Sequence, residues 1–304
     1  MRSHLCIAAL AMNLALLSSP ILAEAAAPGS FCVEPQDGSI PARSATAPTG
    51  SELAGRLGGI DDDAREELIR REFLAGNIPE FLKRLRPVEL RSDLPDGKST
   101  RITLCVMPDY LALGSDRDYL LVPMRLQTAL AVAAQYGFTL PTPAIVDAIY
   151  AQSAVHLAPR PLPASPAMRS TAYYLNHDAL IRSQRTEVDA SPGALISGDK
   201  KDLVLTNRLW KNLDRIAIYG WHTLEGHPIQ PLSLVHGWHY VDYSHGVRLV
   251  STRILLNDKP ERLSAALRDA VTARLLSYEG AISPADLIAR LIDARTHSVS
   301  AAAR

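Results

Sequence analysis

The chain has 304 residues, 47% of them hydrophobic and 21% charged, so it can bury a proper core and falls outside the composition of a disordered chain. Lys plus Arg and Asp plus Glu both total 32, giving a formal charge of +0, and no basic excess points to nucleic acid or an anionic membrane surface. The expected partner is therefore a small molecule, a peptide or a glycan, and the length allows one large domain or two small ones.

The chain opens like a secretory signal. Arg2 supplies the positive start, residues 7–17 a short apolar core, and Ala23-Glu24-Ala25 the small residues read at a cleavage site after Ala25. The apolar run is too short for a good membrane span. Cys6 lies upstream of the cleavage site, and no Cys follows it immediately as a lipoprotein would require. The mature protein is expected to be periplasmic or secreted, without stable membrane insertion. Cys32 and Cys105 then remain, and in an exported chain two cysteines predict one disulfide, worth roughly 3–4 kcal/mol by loop closure. A Cys105 nucleophile is the weaker reading, because Arg-Ile-Thr-Leu-Cys-Val-Met is an apolar strand with no neighbouring base in sequence.

Residues 26–50 are rich in Pro, Ala, Ser, Thr and Gly and show no helical or strand period, so they read as a flexible leader. An amphipathic helix is predicted over 62–74, acidic at its start and with Arg70 and Arg71 near its end. A short helix follows Asn77-Ile78-Pro79. Strands are predicted over 101–107 and 119–124, with a Gly-Ser-Asp turn between them whose Asp109, Asp116 and Asp118 fit no EF-hand spacing. Helices follow over 126–136, stopped by Gly137, and from Pro143 behind the cap Thr142. A Pro-rich run over 158–166 precedes a long helix over 172–188. Strands are then expected over 202–206, 216–221, 229–234 and 247–256, and helices over 261–277 and from Ser283-Pro284 to 295. Helices, then antiparallel strands, then helices argue for a single α+β domain over 51–304, with a sub-boundary near 158–166 as an option.

Five of the nine histidines lie between Trp221 and Arg248, in Trp221-His222, Gly226-His227-Pro228 and His236-Gly237-Trp238-His239-Tyr240-Val241-Asp242-Tyr243-Ser244-His245-Gly246-Val247-Arg248. Imidazole binds metals and transfers protons near neutral pH, so chemistry is expected here. On a straight strand His239 and His245 share a face but stand too far apart for one metal. A turn over 241–244 would bring them together, and the Gly237 bend would instead join His236 to His239. Metal sites on antiparallel sheets use two His and a carboxylate with one position open to water. The expected metal set is Asp202, His239 and His245, with Asp242 as the other carboxylate and zinc as the ion. Arg248 would orient substrate and Tyr243 or a His would move the proton, making His239, Tyr243 and Arg248 the catalytic candidates. Lys200 and Lys201 read as solvated. Trp210, Trp221 and Trp238 read as core or as a carbohydrate platform.

The order of Ser191-Pro192-Gly193, Asp199 and Asp202, then Asp242-Tyr243-Ser244-His245-Gly246-Val247-Arg248, resembles that of zinc D-alanyl-D-alanine carboxypeptidases and murein endopeptidases. It departs from them in the short Asp199–Asp202 spacing and in a lone His245 where that group has a His-any-His pair. The resemblance implies a zinc peptidase site. There is no Gly-any-Ser-any-Gly elbow for an α/β-hydrolase and no glycine loop for phosphate. Ser244 and His245 face opposite sides of an extended strand and cannot build a triad locally. The expected function is thus an exported hydrolase, metal-dependent in its zinc form, acting on a cell-envelope or extracellular peptide or glycan. The alternatives are a non-catalytic envelope-binding protein and a hydrogen-bonded structural network.

Overall fold

The computed structural model describes residues 28–33, 40–93 and 99–302. The expected signal segment lies outside the described residues. Helices and mainly antiparallel sheets combine in an α+β arrangement, with helices leading, the second sheet following and helices closing the chain.

The first sheet runs Arg86–Asp93, Ser99–Val106, Val250–Leu256, Lys259–Arg262, all antiparallel, and Phe138–Thr139 also pairs with Val250–Leu256. Arg86–Asp93 is a strand that Pro87 conceals in the sequence. Proline is tolerated on a sheet edge, and Val88 and Leu90 alternate into the core. One face of this sheet packs Val88, Ile102, Leu104, Val106 and Ile254 against Ile145 and Ile149 of the helix Pro143–Gln152 and Leu263 and Leu267 of Leu263–Arg268.

The second sheet runs Pro228–Ser233, Ile218–His222, Lys201–Leu203, His245–Gly246. Its last pairing is parallel, with His245 opposite Lys201 and Gly246 opposite Asp202. Only three residues separate His245–Gly246 from Val250–Leu256, so the chain steps directly from one sheet to the other. The step is tied down where Leu111 N–H bonds the Val247 carbonyl and Met107 N–H bonds the Leu249 carbonyl.

The helix expected over 62–74 is Asp62–Leu74, capped by Asp61, whose carboxylate accepts the Asp63 and Ala64 N–H groups. The helices Leu126–Gln135, Pro143–Gln152 and Thr171–Glu187 also match expectation within a residue where both ends were expected. The single helix expected over 261–277 is instead two, Leu263–Arg268 and Ala273–Leu276. Asp269 causes the break, because its carboxylate accepts the Val271 and Thr272 N–H groups and restarts the chain. Residues expected as leader also carry structure: Pro28–Val33 is a helix with Phe31 and Cys32 buried. Cys32 is disulfide-bonded to Cys105, with Cα atoms 5.3 Å apart, as the cysteine count predicts. Among the described residues no helix is long and apolar enough to cross a membrane.

Candidate functional site

Two tight turns build the site. In the first, Tyr240 N–H bonds the Gly237 carbonyl, and His236 stacks on Tyr240 with ring centroids 3.8 Å apart and planes 2° from parallel. This turn is anchored to residues 214–216, since Trp238 N–H bonds the Asp214 carbonyl and Ile216 N–H bonds the His236 carbonyl. In the second, His245 N–H bonds the Asp242 carbonyl. The Asp242 carboxylate closes that turn by accepting Ser244 N–H at 2.8 Å and Ser244 Oγ–H at 2.6 Å. Of the alternatives the sequence leaves open here, an extended strand, a turn over 241–244 or a bend at Gly237, both turns form, because Gly237 and the Asp-x-Ser pattern favour turns over a ladder.

The folding brings His236, Asp242 and His245 together, with one ligand atom from each lying within 4.8 Å of the others. His245 is 1% exposed, and neither ring nitrogen has a hydrogen-bond partner. Burial pulls its pKa down to about 4 against the opposing charge of Asp242, so the ring is a neutral acceptor at pH 7. Burial likewise lowers His236. For Asp242, burial pushes up, but His245 and the Ser244 donors outweigh it and hold the carboxyl below its usual range. Tyr240 OH donates to Asp242 Oδ2 at 3.0 Å. A tetrahedral zinc site needs ligand atoms about 3.3 Å apart, and His245 Nε2 stands 4.0 Å from Asp242 Oδ2, so a metal here would draw the ligands closer. The Tyr240 and Ser244 contacts would then act as the outer hydrogen bonds that orient a metal-ligating carboxylate.

The structure does not bring Asp202 or His239 to this cluster. His239 is exposed on the first turn, where its charge reaches Asp63. Asp202 neighbours the turn in sheet register but projects to the other face. There it accepts a hydrogen bond from Tyr110 OH at 2.9 Å, and Arg248 stacks on the Tyr110 ring at 4.5 Å. Burial raises the Asp202 carboxyl to about 7 against the opposing charge of Arg248. Arg248 itself is 1% exposed and donates to the Met107 and Ile196 carbonyls, which makes it a tie between segments. Tyr243 OH accepts Leu162 N–H at 2.7 Å and donates to the Leu162 carbonyl at 3.2 Å, fastening the Pro-rich rim. Trp221 and Trp238 are buried, while Trp210 is partly exposed.

The two lysines read as solvated are neither alike nor solvated in the ordinary way. Lys200 is 1% exposed, and its ammonium donates to the Tyr243 carbonyl at 2.6 Å and to His177 Nδ1 at 3.0 Å. Burial lowers its pKa to about 8, opposed by Asp199, Asp178 and Asp242. Behind it, Arg185 pairs with Asp109 at 2.6 Å and Asp199 at 3.5 Å. Lys201 lies in register with His245, and its charge acts on His236, Asp242 and His245 alike. The alternation along Lys200-Lys201-Asp202 carries this division, and strand parity could have found it once the pairing with His245 was known. His236, which had no assigned role, is brought in by a turn that spacing alone does not specify.

No protein family, curated protein or solved structure matches this chain.

Proposed function

We propose that this protein is an exported hydrolase acting on a cell-envelope or extracellular peptide or glycan, with a divalent metal, zinc foremost, held by His236, Asp242 and His245. The observation that carries the reading is the buried His245 ring, whose two nitrogens lack hydrogen-bond partners beside a second imidazole and a carboxylate. An unpaired buried polar group costs about 1–3 kcal/mol, and a bound ion is one way to recover that cost. Two imidazoles and one carboxylate leave a position for water, whose pKa a zinc ion lowers to about 7. The disulfide fits an oxidising compartment.

A metal-free hydrogen-bonded network is the competing reading, and the donors already on both Asp242 oxygens favour it. Elemental mass spectrometry on untagged mature protein decides between the two. Near-stoichiometric zinc or another transition metal, lost in His236→Ala and His245→Ala, supports the proposal. No metal, even after incubation with zinc, overturns its metal part. Turnover of peptidoglycan fragments by wild type and not by His245→Ala tests the hydrolase part.

A further inference from the structure

Lys201 is the cation closest in register to the cluster, and the way it is held sets it apart. Its ammonium lies 5.2 Å from the centroid of the Trp221 ring. Among the described residues it makes no hydrogen bond and has no carboxylate within 4 Å. An aromatic face holds a cation without cancelling its charge, whereas a carboxylate partner would neutralise it. The charge of Asp242 acts on it, and that carboxylate is already engaged by Ser244 and Tyr240.

The ring is placed there at a cost. Trp221 has φ +56°, a left-handed backbone that bulky residues avoid, and it follows Gly220 at φ +100°. Strain of this kind costs about 1–3 kcal/mol and persists where the surroundings over-determine it. Here His177 and Tyr243 pack edge-on to the indole, at 5.9 and 6.4 Å between centroids. The same Tyr243 carbonyl is gripped by Lys200. The strained turn, the buried lysine and the ring thus fix one un-neutralised cation on the face of the sheet that carries His245.

We propose that Lys201 is the anion-binding residue of this site and that its ligand carries a carboxylate next to the group that meets His236, Asp242 and His245. The inference deepens the proposed function by naming the ligand class. It rests on that site but not on the presence of a metal. A peptide C-terminus and a sugar acid share this chemistry, and the test separates them.

Calorimetric titration of the full mature protein uses four probes: N-acetyl-alanyl-alanine, its C-terminal amide, glucuronic acid and glucose. At least one acid is expected to bind ten-fold or more tightly than its neutral counterpart, and which acid does so names the source. Lys201→Met should abolish that preference, Lys201→Arg should keep part of it, and the melting temperature should hardly change in either. Equal binding of acid and neutral probes, no binding of either acid, or an unchanged preference in Lys201→Met would overturn the inference. The wild-type acid-to-neutral comparison needs no variant and so survives a folding failure. An acid preference without bound metal would sink the metal reading and leave this one standing, whereas bound metal with no acid preference would do the reverse.

Discussion

Asp202→Asn should stabilise the protein as pH rises. The carboxyl is 2% exposed and accepts Tyr110 OH, and burial lifts its pKa from 3.8 to about 7. Below pH 3.8 the folded and unfolded chains both hold the proton, and the full stability is present. As pH rises toward 7 the unfolded chain releases the proton while the folded chain keeps it, so stability falls. At 1.36 kcal/mol per unit, the wild type loses about 4 kcal/mol across this window, and the loss is complete above the folded pKa. Asparagine is neutral throughout and can still accept from Tyr110. Urea unfolding, followed by tryptophan fluorescence at pH 5, 6, 7 and 8, should therefore show the variant gaining on the wild type by a few kcal/mol from the lowest pH to the highest. Titrations shared by both proteins cancel in that difference. A flat difference would refute the reasoning. A variant that loses ground as pH rises would refute it more sharply, since it would mean that Arg248 holds Asp202 ionised in the fold.

Three further outcomes are expected. Cys32 and Cys105 are 73 residues apart, so opening the disulfide by a Cys32→Ser, Cys105→Ser double replacement should cost about 4 kcal/mol in the chain-entropy model, read as a drop in melting temperature of roughly 10 °C by scanning calorimetry. Gly246→Ala would place a Cβ 2.5 Å from the Tyr110 ring and 2.7 Å from Lys200 Cβ, and should destabilise by about 1–3 kcal/mol in chemical unfolding. Lys200→Met removes a buried ammonium from the Tyr243 carbonyl, His177 and the acidic groups around it, and should cost about 3 kcal/mol or more, whereas Lys201→Met should cost under about 1 kcal/mol. Equal losses in the two lysine variants would contradict their separation.

The helices were the legible part of this fold, because their signals are local. Asp61 before an acidic first turn, Thr142 before Pro143, and Gly137 after an apolar run each fix an end within a few residues. The break at Asp269 was just as local but was masked by an apolar period that runs through it. Arg86–Asp93 was hidden for a different reason. Proline argues against a central strand, and only the sheet order shows that this one is an edge.

The site was legible in composition and not in membership. Histidine density pointed to residues 236–245, yet which side chains converge depends on whether the backbone there is extended or turned, and the two turns decide it. His239, paired with His245 through a supposed turn, and Asp202, chosen as a carboxylate opening an apolar strand, fall away from the cluster, while His236 enters it. The lysines show how much depends on one pairing. Lys200 and Lys201 are adjacent and chemically identical, and each favours the surface by its own composition. The parallel register sets His245 opposite Lys201. Parity then sends the Lys200 side chain to the opposite face, where burial is tolerable because the Tyr243 carbonyl, His177 and nearby carboxylates receive its charge. Lys201 is left facing the histidines over an aromatic ring that cannot neutralise it. A shift of that pairing by one residue would exchange the two roles, so the position of the site's cation is a property of the register rather than of the residue.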